Sequence, residues 1–179
     1  MKSIKLISIL SLILLSLSCS NEAEKRVIVD EKLTEKPDQT AYDFSTDFID
    51  SNRIKARLSA GRARIFTSHK ETLIDTNVHI DFFSKFNGDR ISYLDCDSAM
   101  IDDSTKIMYA YGEVFVYSDS TKTSLKTIFL EWNDSTGKLY SPEFVTIENE
   151  IEIIEGFGFE SDQKLDNYKI YKVNGVKKK

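Results

Sequence analysis

The run from residue 107 to residue 171 alternates apolar and polar residues with a period near two, and this pattern constrains the fold most. A strand with one dry and one wet face produces such an alternation. Ser, Asp, Asn, Thr and Gly, which stabilise turns, interrupt the run at Ser118 to Lys122 and at Asn133 to Gly137. The predicted dry positions in its second half are Val145, Ile147, Ile151, Ile153, Phe157 and Phe159, and the wet positions are Glu148, Glu150, Glu152 and Glu160.

The first half of the chain continues this pattern. Asp50 to Asn52 predicts a hairpin turn, Gly61 predicts a break between two strands, and Asn87 to Asp89 predicts a second tight turn. The predicted strands here are 42–48, 54–60, 62–67, 77–86, 90–96, 99–101 and 106–117.

No stretch after the first 18 residues places apolar residues at helical spacing over a dozen positions. Strands of roughly 5 to 10 residues at roughly 10-residue spacing predict an all-β sandwich, barrel or jellyroll built from sequential antiparallel hairpins. The strand from Lys106 to Tyr117 is apolar on both faces. It is either a central strand that is covered on both sides, or the lining of a groove that an apolar ligand visits.

Residues 1–18 have the layout of a signal peptide, with Lys2 and Lys5 before an apolar run and the small Ser18 directly before Cys19. The run is shorter than the ~20 residues of a membrane span. A small residue followed by cysteine resembles a bacterial lipobox, which predicts cleavage and a lipid anchor on Cys19. Ser16 stands where such motifs usually have leucine, so an uncleaved anchor is the alternative.

The predicted organisation has four parts: a lipoprotein signal peptide at 1–18, a lipid-anchored tether at 19–40, a β-domain at 41–175 and a basic tail at 176–179. The formal charge is −5, and loss of Lys2 and Lys5 makes it more negative. This acidic balance disfavours nucleic acid, which needs clustered Lys and Arg. Cys96 follows the alternation of Ser92 and Leu94, which predicts a small buried side chain.

The sequence offers little for catalysis. It has two histidines, His69 and His79, in no metal-ligand spacing. It contains no phosphate-binding loop and no nucleophile elbow, and the Glu148 to Glu152 carboxylates suit a solvated outer face. We therefore predict a protein that is not an enzyme and that has no cofactor and no metal.

Dispersed motifs in the second half carry a family resemblance. They are A-x-G-x-V at Ala110 to Val114, L-x-T at Leu125 to Thr127, L-x-W-N at Leu130 to Asn133, V-x-I at Val145 to Ile147, and E-G-x-G-F-E at Glu155 to Glu160. The chain resembles the LptC family, the periplasmic component of the lipopolysaccharide export ABC transporter. The resemblance implies a twisted antiparallel β-jellyroll, V-shaped and open at its ends.

The resemblance also implies a function without bond chemistry. The protein would accept lipopolysaccharide from the membrane subunits of an ABC transporter and pass it to a periplasmic bridge protein of similar fold, by edge-strand pairing. It would sit at the periplasmic face of the inner membrane of a Gram-negative bacterium, held by its lipid anchor. The alternative is a lipid-anchored β-sandwich that binds another protein or a glycan at the cell envelope.

The resemblance further implies roles for particular residues. A glycine near the last strands is needed for function in the family, and Gly156 and Gly158 match it. Strands at both ends of the domain would pair with partners, with Asp43 to Phe48 facing the transporter and Tyr168, Ile170 and Tyr171 facing the bridge protein. The predicted lining of the lipid slot is Phe44, Ile54, Ile80, Phe82, Val114, Val116, Val145, Ile147, Ile153 and Phe157.

Overall fold

The computed structural model describes residues 35–178, so the predicted signal peptide, Cys19 and most of the tether lie outside the described residues. The described chain forms nine strands and no helix. It therefore has no helix that is long and apolar enough to cross a membrane. The strands are β1 (Gln39–Asp50), β2 (Arg53–Phe66), β3 (Glu71–Phe83), β4 (Arg90–Asp102), β5 (Ile107–Ser118), β6 (Ser124–Asn133), β7 (Lys138–Glu148), β8 (Glu152–Asp162) and β9 (Lys169–Lys178).

All nine strands form one antiparallel sheet in chain order, and each pairs with the next through a hairpin. β1 and β9 are its two edges, as predicted for the strands at the ends of the domain. β5, the strand with two apolar faces, is the middle strand. Met108, Ala110, Val114 and Val116 on one face are buried, whereas Tyr109, Tyr111 and Phe115 on the other are partly exposed, so the strand is not fully covered on both sides. β9 runs on through Lys178 into the segment predicted as a basic tail.

The predicted turns are confirmed. Ser51 and Asn52 join β1 to β2 with positive φ angles of 49° and 66°, which Asn tolerates better than most residues. Asn133 Oδ1 accepts hydrogen bonds from the backbone N–H groups of Ser135 and Thr136 at 3.0 and 3.1 Å. Side-chain bonds of this kind are why such residues favour turns.

The predicted breaks inside strands are wrong, because they are β-bulges. β2 runs straight through Gly61, with a register shift between Ser59 and Arg62. A Cβ on Gly61 would lie 2.8 Å from Cγ2 of Thr76, so the glycine serves close strand approach rather than chain reversal. A second shift, between Asp95 and Ser98, joins two predicted short strands into β4. Bulges leave one residue unpaired while the ladder continues.

The segment 145–159, in which apolar and polar residues alternate, also contains a turn. The regular period of two did not reveal it. Asn149 Oδ1 accepts from the N–H groups of Ile151 and Glu152, both at 2.9 Å, and ends β7 before β8 begins. The turn shifts which residues face inward, so Ile154 rather than Ile153 lies opposite Ile147. Ile151 is 71% exposed. The single dry face predicted across this segment is therefore wrong.

The sheet rolls over onto itself. Phe82 pairs with Ser92, which pairs with Ser118 at the end of β5, whereas Trp132 lies at the opposite end of the neighbouring strand β6. Even so, the Trp132 ring packs edge-on against Phe48 and Phe82, with centroids 5.0 and 5.1 Å apart. We call the face that this rolling encloses the inner face, and the opposite one the outer face.

Polar contacts join the rolled ends. Lys55 Nζ, at the start of β2, lies 2.7 Å from Oδ1 of Asp134 in the β6–β7 turn and donates to the Asp134 carbonyl at 3.2 Å. Thr121 Oγ1, in the β5–β6 turn, donates to the Lys164 carbonyl in the β8–β9 turn at 3.1 Å. Each contact joins two parts of the chain that would lie at opposite ends of a flat sheet.

Candidate functional site

A continuous apolar cluster fills the inner face. Six of the ten predicted slot residues belong to it and are at most 2% exposed: Ile80, Phe82, Val114, Val116, Val145 and Ile147. Phe44, on the edge strand β1, is half-buried and packs against the cluster. Ile54 is half-buried beside β1, opposite Ile49. The structure therefore brings most of the predicted lining together as one packed surface.

Two predicted lining residues lie elsewhere. Ile153 pairs with Glu148 on the outer face. Phe157 is 43% exposed and packs edge-on against Phe144, with ring centroids 5.2 Å apart. Phe159, buried at 0% exposure, takes an inner position of β8 instead. The turn at Asn149 reversed the faces of Ile153 and Phe157, and the register shift between Ser141 and Phe144 returns Phe159 to the inner face. Asn between two strand-like runs is the sequence signal that marks the turn.

The inner face also carries polar atoms without partners, which sequence reasoning missed. Trp132 Nε1 and Ser161 Oγ are buried and make no hydrogen bond, and both residues are 0% exposed. By contrast, the buried hydroxyl of Ser141 lies 3.3 Å from that of Thr127 and accepts from the Glu143 N–H at 3.2 Å. Buried polar groups in proteins are normally satisfied, so the two orphaned groups stand out.

Gly156 and Gly158 hold the last strand against the sheet. A Cβ on Gly156 would overlap the Lys172 carbonyl oxygen and a methyl group of Ile170, both on β9. Gly158 has a positive φ of 73°, and a Cβ there would lie 3.0 Å from the Tyr171 ring. Both glycines are therefore needed for the close approach of β9. Gly156 provides space for the neighbouring strand, and Gly158 provides space and also adopts a positive φ.

The two edge strands carry opposite charge. β1 contains Asp43, Asp47 and Asp50 and no basic residue. β9 contains four lysines and no acidic residue. Tyr171, Val173 and Val176 on β9 are 53% to 57% exposed. Tyr168 stacks on Phe159 with centroids 6.5 Å apart, and Ile170 packs against the core. The β9 edge is thus basic and partly apolar, whereas the β1 edge is acidic.

A charged cluster on the outer face surrounds His79. Its Nδ1 lies 2.6 Å from Asp95 Oδ1 and its Nε2 lies 3.3 Å from Asp81 Oδ1. Burial alone would lower the pKa of His79, but the hydrogen bond to Asp95 and the charges of Asp81 and Asp95 outweigh it and raise the pKa. Two carboxylate neighbours favour the imidazolium, in which both ring nitrogens donate.

Other candidate chemistry is not supported among residues 35–178. No group of three or more His, Cys, Asp or Glu side chains in this range is placed to hold a metal ion. Cys96 is buried, as predicted, and its burial raises the pKa of its thiol to about 12, so the reactive thiolate is suppressed. A surface depression of about 340 Å³ lies away from the inner face, lined by Tyr117, Lys122, Ser124, Glu148, Asn149 and Glu150.

Fold and site together define an all-β protein with one open antiparallel sheet, an apolar inner face and two free edge strands. The sequence profile of the LptC-related lipopolysaccharide-assembly proteins matches residues 6–177. The chain belongs to this family. Its members are transport components, which gives the chain a role in lipopolysaccharide transport in the periplasm.

Solved structures agree with the fold. The crystal structure of LptH from Pseudomonas aeruginosa, the LptA-homologous periplasmic component of the lipopolysaccharide transport device, aligns with a TM-score of 0.50 at 11% identity. The alignment covers 64% of this chain and 80% of that chain. It confirms the predicted jellyroll class. Comparison of the sequence with curated proteins gives no significant match.

We expect Gly156→Ala to loosen β9, because the added methyl group has no space against that strand. The free energy of unfolding should fall by about 1 to 3 kcal/mol, and amide hydrogen exchange should accelerate mainly in β9. Gly175→Ala is the matched control, since a Cβ there meets nothing nearer than 4.0 Å. Equal exchange rates in the two variants would contradict this role of Gly156.

We expect the His79 cluster to make stability depend on pH. Because the pKa of His79 is raised in the folded state, its stabilising contribution is complete below the unfolded value of about 6.5 and is lost as pH rises through the folded value. His79→Gln should remove this loss. Urea unfolding between about pH 5 and pH 8 measures this pH dependence of the free energy of unfolding. An unchanged pH dependence in the variant would show that His79 is not its source.

Proposed function

We propose that this protein accepts lipopolysaccharide from an inner-membrane ABC transporter and passes it to a periplasmic bridge protein of similar fold. The observation that carries the proposal is the continuous apolar inner face of a single sheet whose two edges remain open. No bond chemistry is required of the chain. Energy for directional movement would come from the transporter.

Acyl chains need such a surface to cross an aqueous space. Burying a methylene group is worth about 0.8 kcal/mol, so one chain of about a dozen methylenes costs on the order of 10 kcal/mol in water. An apolar inner face offsets this cost while the sugars stay in solvent. The proposed lining consists of the inner cluster residues Ile80, Phe82, Val114, Val116, Val145 and Ile147, with Phe44 and Ile54 at the edge.

The way the sheet closes makes it suited to opening. In the described chain β1 pairs only with β2, and β9 only with β8, so backbone hydrogen bonds do not seal the roll. Side-chain packing, such as Trp132 against Phe48 and Phe82, holds it closed instead. An entering acyl chain exchanges one set of apolar contacts for another, and the strand ladders remain intact.

The open edges suit partners that add a strand. An unpaired edge presents backbone donors and acceptors, and pairing with another sheet extends the inner face from one protein to the next. We assign β1 to the transporter side and the β9 edge to the bridge protein, through Ile170 and Tyr171 on β9 and Tyr168 directly before it. The lysines of β9 favour an acidic strand as its partner.

Anchoring through an acylated Cys19 completes the proposal. Residues 19–40 would tether the sheet to the periplasmic face of the inner membrane. Mass spectrometry of the membrane-extracted protein tests this, because a diacylated Cys19 at the new N-terminus is expected. An unmodified Met1 would contradict it and favour the uncleaved anchor.

An alternative is a lipid-anchored β-protein that binds another protein or a glycan. Aromatic rings on the outer face support it: Tyr93 lies 6.1 Å from Phe115 and 5.8 Å from Tyr117, with the Arg90 guanidinium 5.2 Å from the Tyr93 centroid. Such a surface suits stacking on sugars or side chains. Under this alternative the partner contacts the outer face and not the inner one.

Photocrosslinking separates the two functions. We expect benzoylphenylalanine at Phe82, on the inner face, to cross-link to lipopolysaccharide in living cells, because acyl chains pass there. Phe115 is the matched control, since it is also a phenylalanine but its ring lies on the outer face beside Tyr93. Cross-linking from Phe115 alone would support the alternative and refute carriage.

Charge reversal tests the assigned bridge edge. We expect Lys172→Glu combined with Lys177→Glu to reduce capture of the bridge protein roughly tenfold or more, because like charges then meet across the edge. Both lysines are exposed on β9. Lys126→Glu, exposed on the more central strand β6, should leave capture unchanged. If circular dichroism shows that the double variant is folded and it still captures the bridge protein fully, the assignment of the β9 edge to the bridge protein is wrong.

A further inference from the structure

We propose that the Trp132 indole N–H and the Ser161 hydroxyl are hydrogen-bonding sites for the oxygen atoms of an acylated ligand. The ligand class is an amphiphile whose acyl chains are attached through ester or amide carbonyls. This inference rests on the proposed function. It also specifies the end of the inner face at which the ester or amide linkages of the ligand lie. Neither residue was among the predicted lining.

The Trp132 indole N–H and the Ser161 hydroxyl lack hydrogen-bonding partners. Both groups are fully buried and make no hydrogen bond in the described structure. A buried donor without an acceptor destabilises a protein, and an apolar side chain of similar shape would not. Phenylalanine at position 132 and alanine at position 161 would avoid that polar cost. A ligand oxygen that enters the inner face supplies the acceptor that the free protein lacks.

The two residues lie in the same row of the sheet. Trp132 pairs with Leu139, and Leu139 pairs with Ser161, so the three residues form one row across β6, β7 and β8. Adjacent strands are spaced about 4.8 Å apart, which places the two polar residues roughly 10 Å apart along the sheet. An acylated sugar carries several carbonyl and hydroxyl oxygens close to its head, so one ligand has oxygens for both sites.

An ion pair lies close to Trp132 in the chain. Asp134 follows Trp132 by two residues, and the Lys55 side chain reaches it from β2. The side chains of this ion pair are 17% and 15% exposed, so it lies between the buried row and solvent. Polarity therefore increases in order from the apolar cluster, through Trp132 and Ser161, to the Lys55–Asp134 pair. The same order describes an amphiphile with its head at this end and its tails in the cluster.

A pair of probes that differ by one carbonyl group tests the inference. The full-length protein is titrated with monotetradecanoylglycerol, an ester, and with the tetradecyl glycerol ether, which lacks the carbonyl. We expect the wild-type protein to prefer the ester. The single carbonyl can reach only one of the two sites at a time, so combining Trp132→Phe with Ser161→Ala should reduce this preference by roughly threefold to tenfold, the value of one hydrogen bond. Because both affinities are measured on the same variant, any effect of its smaller side chains that is common to the two probes drops out of their ratio.

Ser141→Ala is the matched control. Its hydroxyl is also buried on the inner face but is already bonded to Thr127 and Glu143, so the ester preference should persist. Thermal unfolding provides a second readout: Ser161→Ala should leave the melting temperature unchanged or raise it, whereas Ser141→Ala should lower it.

The outcomes separate this inference from the proposed function. Equal affinity of the wild-type protein for ester and ether, or an ester preference that survives when Trp132→Phe and Ser161→Ala are combined, overturns the hydrogen-bonding sites and leaves carriage standing. Loss of the preference in Ser141→Ala also overturns them. Binding of neither probe by the wild-type protein overturns carriage itself, and the inference with it.

Discussion

The inner face of a sheet must be covered, and in residues 35–178 neither a helix nor a second sheet covers it. The sheet covers itself by rolling, so that Trp132 at the end of β6 meets Phe48 and Phe82 from β1 and β3. The hydrophobic effect drives this closure. The bulges within the long strands bend the sheet and increase its twist, which makes the rolling possible.

This mode of closure links stability to function. Strand ladders hold the sheet together, whereas packed side chains and the Lys55–Asp134 ion pair hold the roll closed. These two sets of interactions are separable, so a ligand can displace the second while the first persists. The same residues then serve as core in the free protein and as lining in the loaded one. The free edges remain available to partners throughout.

Much of this architecture is readable from the sequence. The period of two identified the strands, and turn residues such as Asn52, Gly88 and Asn133 located the hairpins. Bulges were not readable, because Gly61 looks the same whether a strand ends or only bends. Nor was the inward placement of Ile154, because the Asn149 turn falls inside an unbroken alternation.

The site was partly predictable for a related reason. Alternation within a strand places Val114 and Val116, or His79 and Asp81, on a common face without knowledge of the partner strands. Contacts that depend on the rolling have no local signal. Trp132 against Phe82, and Lys55 against Asp134, join residues that are far apart in sequence and at opposite ends of the sheet. The orphaned groups at Trp132 and Ser161 are visible only when these contacts are known.

The most direct test of acyl-chain entry uses Trp132, the single tryptophan of the sequence. Its ring is buried between two phenylalanines on the inner face, so its fluorescence reports what enters there. Lipopolysaccharide with brominated acyl chains, which quench indole emission on close contact, is titrated against the protein while binding is followed independently. If acyl chains enter the inner face, quenching should rise in step with binding. Saturated binding with unchanged Trp132 emission would show that the chains lie elsewhere and that the inner face does not carry them.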